Sequence, residues 1–296
     1  MVLASPGWYD SLNSTELPIG LEERTPVLTE YVRVLVSVLA LCAAFQVLER
    51  LFPAERGQPT GRWLFNMAYT PVILAAVFLI GAAFSPGFAF LISQTGGGLL
   101  PVLAGEGSSP VRLTLFALFY AFVWDLSQYA MHRLQHASPI LWRTHRFHHD
   151  ETAVSAVVQA RVHPTSFVLA LIFHMPVIIL FGPQVPHFIA TFLLFRLWGF
   201  VNHANVRLDL GPLAILVAGP QWHRIHHSVL EEHRNRNFAT FFPLIDWMFG
   251  TYYAPGKGEY PPTGLGDRPQ PGLFAATVEP FVAWYGMARS RFGRAG

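Results

Sequence analysis

Apolar positions along this chain gather into long runs. The first, residues 31–48, is too long for the core of a signal peptide and no small-residue cleavage pattern follows it, so it is expected to persist as a membrane anchor. Residues 63–92 carry no charge and exceed one tilted span, with Pro71 and Pro86 expected to kink or end the helix. The stretch through Gly96, Gly97 and Gly98 to Ser109 and Pro110 reads as a loop or a re-entrant piece. The third run, 113–129, continues as a helix that puts Asp125, Tyr129, His132 and His136 on one stripe at a membrane boundary. Two shorter runs, 167–181 and 188–201, are separated by Gly182-Pro183-Gln184-Val185-Pro186, the punctuation of a helical hairpin. The expected fold is all-α, an integral membrane helical bundle with a cytosolic histidine-rich helical cap. Its parts are an N-terminal segment 1–27, transmembrane helices 28–131, a histidine-box region 132–255 that includes a membrane hairpin at 166–202, and a C-terminal tail 256–296.

Composition supports a bilayer setting. The 296 residues are 52% hydrophobic and 14% aromatic with only 13% charged, too apolar to hide in a soluble core of this size. Lys257 is the only lysine, and a formal net charge of +2 is too small to argue for a nucleic-acid partner. The single cysteine, Cys42, excludes an internal disulfide and any cysteine-rich zinc or iron–sulfur site. Arg50, Arg56 and Arg62 flank the first short loop, and Arg133, Arg143, Arg146, Arg161, Arg207, Arg224, Arg234 and Arg236 surround the histidines, whereas residues 92–111 have no basic side chain. That asymmetry places the histidine face in the cytoplasm and the N-terminal segment outside, after three crossings and a hairpin. Because a hairpin returns the chain to the side it left, the last histidine box shares a face with the first two.

Eight of the 13 histidines lie in three boxes: His132 and His136 in HRLQH, His145, His148 and His149 in HRFHH, and His223, His226 and His227 in HRIHH. On helical backbone, positions three and four apart share a face, while adjacent positions diverge by about 100°. His145 therefore stands over His148 and His149, which fan apart, and each HxxHH box can present imidazoles to two neighbouring metals. Eight imidazoles are too many for one ion, since a structural zinc closes with four ligands and a hydrolytic zinc keeps three plus water. Two metals sharing a pocket follow, and imidazole suits iron, zinc, copper and nickel alike. Isolated histidines such as His174, His187 and His233 read as ordinary structural residues. A histidine-rich metal transporter is the competing class, but transporters place their ligands at mid-membrane on broken helices, and here the boxes follow the spans. A zinc hydrolase is disfavoured by the ligand excess and by the lack of an HExxH motif.

The runs DLSQYAMHRLQH, LWRTHRFHHD, VNHAN and QWHRIHHS with IDWMFGTYY resemble, in order and separation, the fatty acid hydroxylase superfamily, which includes sterol desaturases; the likeness covers about 113–253. It implies a non-haem di-iron membrane oxygenase, with two Fe ions held on the cytosolic face and O2 as co-substrate. Ligand roles carry over to His132, His136, His145, His148, His149, His223, His226 and His227, and VNHAN adds His203. Asp125 and Asp246 match acidic positions of the family and are expected behind the ligands, accepting the far N–H of an imidazole. His163, in RVHP, and Tyr129 are expected at the substrate pocket. No catalytic group beyond the metal centre is expected. The chain departs from the family at Asn237-Phe238-Ala239, where relatives commonly have Asn-Tyr-Gly.

The chemistry is consistent with that setting, because an unactivated C–H bond offers neither an acidic proton nor a carbonyl, and oxygen activation at a redox metal is the usual solution. The substrate class is a sterol, fatty acyl or sphingoid lipid, ether lipid or carotenoid, with hydroxylation preferred over desaturation. No dinucleotide or haem-attachment motif is visible, so electrons must come from a separate protein of ferredoxin or cytochrome type, which the arginine-rich face can dock. The Arg-Ala-Gly end lacks a retrieval signal and points to a bacterial inner membrane, with the endoplasmic reticulum as the alternative.

Overall fold

The computed structural model describes residues 24–95, 109–182, 186–266 and 271–292. The glycine loop at 96–98, residues 183–185 of the hairpin punctuation and the Arg-Ala-Gly end lie outside the described residues. Among those described, the elements are helices and short 3-10 turns, with only isolated bridges pairing Pro53 with Val206 and Ser228 with Thr263.

Among the described residues, four helices are long and apolar enough to cross a membrane: α1 (Arg24–Leu51, apolar from Val27), α2 (Thr60–Gln94), α3 (Pro110–Ala137) and α5 (Pro164–Phe181). Large apolar side chains such as Leu79, Val111 and Ile172 stand exposed along them, as lipid contact requires. Helix α2 runs unbroken through Pro71 and Pro86, so neither proline ends it. At 1.5 Å per residue it is about 52 Å long, far more than an apolar layer of about 30 Å. Neighbouring groups make such prolines tolerable in membrane helices, and here the Tyr31 hydroxyl donates to the Pro71 carbonyl at 3.0 Å, tying α1 to α2.

Helix α3 begins at Ser109, whose side chain accepts from Arg112 N–H, with Pro110 in the first turn. It ends at Ser138, which donates its N–H to Leu134 O and also caps α4 (Pro139–His149) by accepting from Leu141 N–H. One residue thus closes one helix and opens the next, folding the second histidine box back beside the first. Helix α3 packs on α5 through Tyr120, Trp124, Ile178 and Phe181, with Phe195 of α6 (Pro186–His203) completing the cluster.

Three short elements close the histidine end: α7 (Pro220–His226), α8 (Pro243–Met248) and the turn Ala156–Ala160. Glu49, at the end of α1, accepts from Ala156 N–H at 2.6 Å and Asn205 N–H at 2.9 Å. The tail holds a helix, α9 (Leu273–Phe292), where the sequence reading expects only a tail. It lies against α4, with Trp284 Nε1 donating to Ile140 O and Glu279 within 3.6 Å of Arg146.

Candidate metal centre

Nine imidazoles converge at the ends of α3, α4, α6 and α7 and just beyond α7, in two groups. His132, His136, His145, His149 and His226 form one; His148, His203, His223 and His227 form the other, with the offered atoms of each group within 4.8 Å of one another. The spacing explains the division. Partners four apart (132 and 136, 145 and 149, 223 and 227) stay together, whereas His148 and His226, three from the first member of their boxes, cross to the opposite group. The groups touch where the His149 and His227 rings stack at 4.3 Å. No carboxylate or thiolate joins either group among the described residues.

Backbone carbonyls orient these rings. His132 Nδ1 donates to Phe238 O at 3.0 Å, His148 Nδ1 to Arg161 O at 3.2 Å, His203 Nδ1 to Gly199 O at 2.7 Å and His226 Nδ1 to Arg236 O at 2.8 Å. A carbonyl only accepts, so in each neutral ring the proton sits on Nδ1 and Nε2 carries a lone pair. Burial, reinforced by neighbouring imidazoles, holds His145, His148, His149, His223, His226 and His227 well below the ordinary imidazole range.

The Nε2 atoms then face one another: His148 to His203 at 3.0 Å, His203 to His223 at 2.9 Å, His223 to His227 at 3.2 Å, and His149 to His136, His145 and His226 at 3.1, 3.1 and 3.2 Å. For His148 and His203, both fixed in the Nδ1–H form, this is lone pair against lone pair, which is repulsive without a cation between them. His132 Nε2 is buried with no hydrogen-bond partner at all. Two nitrogens at right angles on a metal with bonds of about 2.1 Å lie about 3.0 Å apart, against about 3.4 Å for a tetrahedral pair. The donor set therefore fits metal, which these nitrogens would hold.

The two aspartates occupy a different place from the one expected of them. Neither accepts a hydrogen bond from an imidazole among the described residues. Asp125, fully buried, accepts from the backbone N–H groups of Thr240, Phe241 and Phe242 at 2.9, 2.9 and 2.7 Å. Asp246 accepts from Phe238 N–H, Ala239 N–H and the Thr251 hydroxyl at 2.8, 2.8 and 2.7 Å. Together they pin the 238–242 segment whose Phe238 carbonyl orients His132. The Phe238 ring stands edge-on to His132, His136 and His226.

Tyr129 belongs to the same support, its hydroxyl accepting from Arg133 and lying 3.0 Å from the Thr251 hydroxyl. His163 is outside both groups: its ring caps α5 and lies 3.0 Å from the Thr277 carbonyl of α9. Nothing in these contacts makes either residue a pocket wall.

The sequence reading missed the support beneath His148. Arg161, fully buried, donates to Phe147 O and Asn66 Oδ1 and sits 3.6 Å from Glu151, which also accepts from Asn66 at 2.9 Å. Burial lowers this guanidinium to about 10, against the pull of Glu151. Two arginines expected on a docking face are thus interior: Arg161, and Arg224, which pairs with Glu55 at 2.6 Å.

A helical membrane bundle with two all-imidazole groups at one end defines a class, that of histidine-rich membrane metalloproteins. The fatty acid hydroxylase family model matches residues 117–251, a little under half of the chain. The chain is similar to the ornithine lipid hydroxylase of Rhizobium tropici, 26% identical over 84% of this chain and 74% of that protein. It also resembles the alkylglycerol monooxygenase of Danio rerio, 32% identical over 43% of this chain but 28% of that one. The Delta(7)-sterol 5(6)-desaturase of Gibberella zeae is 30% identical over 47% of this chain and 38% of its own length. No solved structure matches the chain.

Proposed function

We propose that this chain is a membrane-bound, O2-dependent oxygenase that hydroxylates a C–H bond of a lipid, using two irons held by the nine histidines. The observation that carries the reading is the meeting of buried, neutral imidazoles with their lone pairs turned inward in two adjacent groups. Bound iron supplies O2 activation and the one-electron chemistry that an unactivated C–H bond demands.

The chain's own residues do the rest. The carbonyls of Phe238, Arg161, Gly199 and Arg236 hold four rings in the ligating tautomer, and burial keeps the rings deprotonated. Trp142 packs against His136 and His149, and Phe238 against His132, His136 and His226, giving the first group an apolar, water-poor surround. His136 alone of the nine is only half-buried, which makes its edge the side open to a lipid. In the balanced reaction one oxygen atom enters the lipid and the other leaves as water, with two electrons and two protons from outside.

A separate ferredoxin- or cytochrome-type donor supplies those electrons at the cytoplasmic face, where Arg133 and Arg234 remain exposed. Hydroxylation is preferred over desaturation because the relative aligned over 84% of the chain is named a hydroxylase. Lipid extracts from cells with and without the protein, grown under 18O2, test the reading. Lipids carrying one labelled oxygen are expected; unlabelled product, or equal product under argon, would sink it.

A further inference from the structure

A cleft of about 440 Å³ opens where α1 ends and α2 begins, with none of the nine histidines in its lining. Its place in the fold is informative. It lies at the loop joining two membrane-length helices, the depth at which lipid headgroups sit. Its inner wall includes Ala153, Ser155 and Asn205. Asn205 follows the ligand His203 by two residues, so at most about 7 Å of extended backbone separates their Cα atoms. The turn that shapes the cleft passes through Gly57 at φ 75°, a conformation glycine enters without strain.

The polar groups of the cleft carry both signs. At the rim, Arg50 and Arg56 are exposed and make no ion pair among the described residues. At the floor, Glu49 is 4% exposed; its Oε1 takes both backbone amides noted above, leaving Oε2 without a hydrogen bond. Ser155 Oγ is buried there with no partner. Trp63 forms a half-buried wall, a surface that attracts an ammonium as well as apolar matter. A purely anionic headgroup would meet the Glu49 carboxylate, and a purely cationic one would meet two guanidiniums.

We propose that this cleft takes the zwitterionic headgroup of a membrane lipid, its ammonium on Glu49 and Ser155 and its phosphate or carboxylate on Arg50 and Arg56, and that this lipid is the substrate. The proposal rests on the oxygenase reading and narrows its substrate class. An ammonium donates to the free Oε2 of Glu49 and to the buried, unpartnered Ser155 Oγ at once. The two rim guanidiniums bind the anion by charge-assisted hydrogen bonds. Headgroup capture beside the His203 segment holds the lipid at the metal end of the bundle rather than along its length.

Binding to the full-length, metal-loaded protein in detergent tests this, titrated calorimetrically with dihexanoylphosphatidylethanolamine, dihexanoylphosphatidylglycerol and free glycerophosphoethanolamine. The ethanolamine lipid is expected to bind at least about ten-fold more tightly than the glycerol lipid and than the free headgroup. R50Q/R56Q should weaken it by about ten-fold or more, and E49Q, whose Oε1 still accepts both amides, should erase the preference over the glycerol lipid. Equal affinity for the two lipids, or affinity untouched by R50Q/R56Q, overturns the proposal. Free glycerophosphoethanolamine binding as tightly as the lipid overturns it too, by making a soluble zwitterion the ligand. On the same preparations, 18O is expected in zwitterionic lipids of the host, and label confined to anionic lipids would overturn the substrate assignment. Headgroup preference without any label condemns the oxygenase reading instead, so the two failures are distinguishable.

Discussion

Asp125→Asn isolates the support behind the first histidine group. The aspartate is fully buried and accepts three backbone N–H bonds at 2.7–2.9 Å, two of them on Oδ2. An asparagine whose oxygen takes the Oδ2 position keeps two of these as neutral bonds and turns its NH2 towards Thr240 N–H, donor against donor. Bonds to a charged group contribute about 1.5–3 kcal/mol each and neutral ones about 0.5–1.5, so the net cost is about 3 kcal/mol after the relief of burying no charge. For a chain of 296 residues, with an unfolding entropy of about 2.1 cal/mol/K per residue, that lowers the melting midpoint by about 5 °C. The same change frees the 238–242 segment, and with it the Phe238 carbonyl that orients His132. Metal affinity of the first group should fall by about ten-fold, the low end for loss of a ligand's hydrogen-bond partner, since the effect is one residue removed. The assay is differential scanning fluorimetry of detergent-solubilised protein, with metal content measured after dialysis against a weak chelator. A variant that melts within about 2 °C of the parent and keeps its full metal content refutes the reasoning.

Other outcomes follow from the same geometry. Arg161→Met takes from the buried Glu151 its 3.6 Å partner and leaves Arg62 at 3.8 Å as its remaining cation, so the cost should fall at the low end of the about 3–5 kcal/mol of a broken buried pair, with R161M/E151Q recovering part of it; an R161M melting curve that overlays the parent's contradicts this. His203→Ala removes the nitrogen lying 3.0 Å from His148 and 2.9 Å from His223, so metal should be lost from that group and kept in the other; loss or retention of both together counts against two separate groups. Metal-free protein should lose stability as pH falls through 6.5, the ordinary imidazole value, because the unfolded chain takes up protons there that the six depressed histidines refuse. Each contributes a slope of up to about 1.4 kcal/mol per pH unit, and a melting midpoint that stays level from pH 7.5 down to about 5.5 would contradict the burial argument.

The histidine boxes were legible because their spacing encodes their geometry. Three- and four-residue intervals on a helix dictate which rings stay together, and the chain needs only to be helical there for the division to follow. The all-α membrane bundle was legible for a similar reason, since long apolar runs leave few alternatives. Partnerships between distant segments were not. Asp125 meets backbone N–H groups 115 to 117 residues away, and backbone donors leave no trace in a sequence. Arg161 read as one more cytoplasmic arginine, and only its burial beside Asn66 and Glu151 reveals a brace for His148. Helix α9 was hidden by the Gly/Pro-rich stretch before it, and its place is fixed by contacts to α4 that no local pattern announces.

Counting metal per chain reaches the central claim most directly. Protein purified from iron-supplied cells, analysed by elemental mass spectrometry and Mössbauer spectroscopy, should carry two irons, one for each histidine group. A single iron, or zinc filling both groups in protein that still oxidises lipid, would contradict the account.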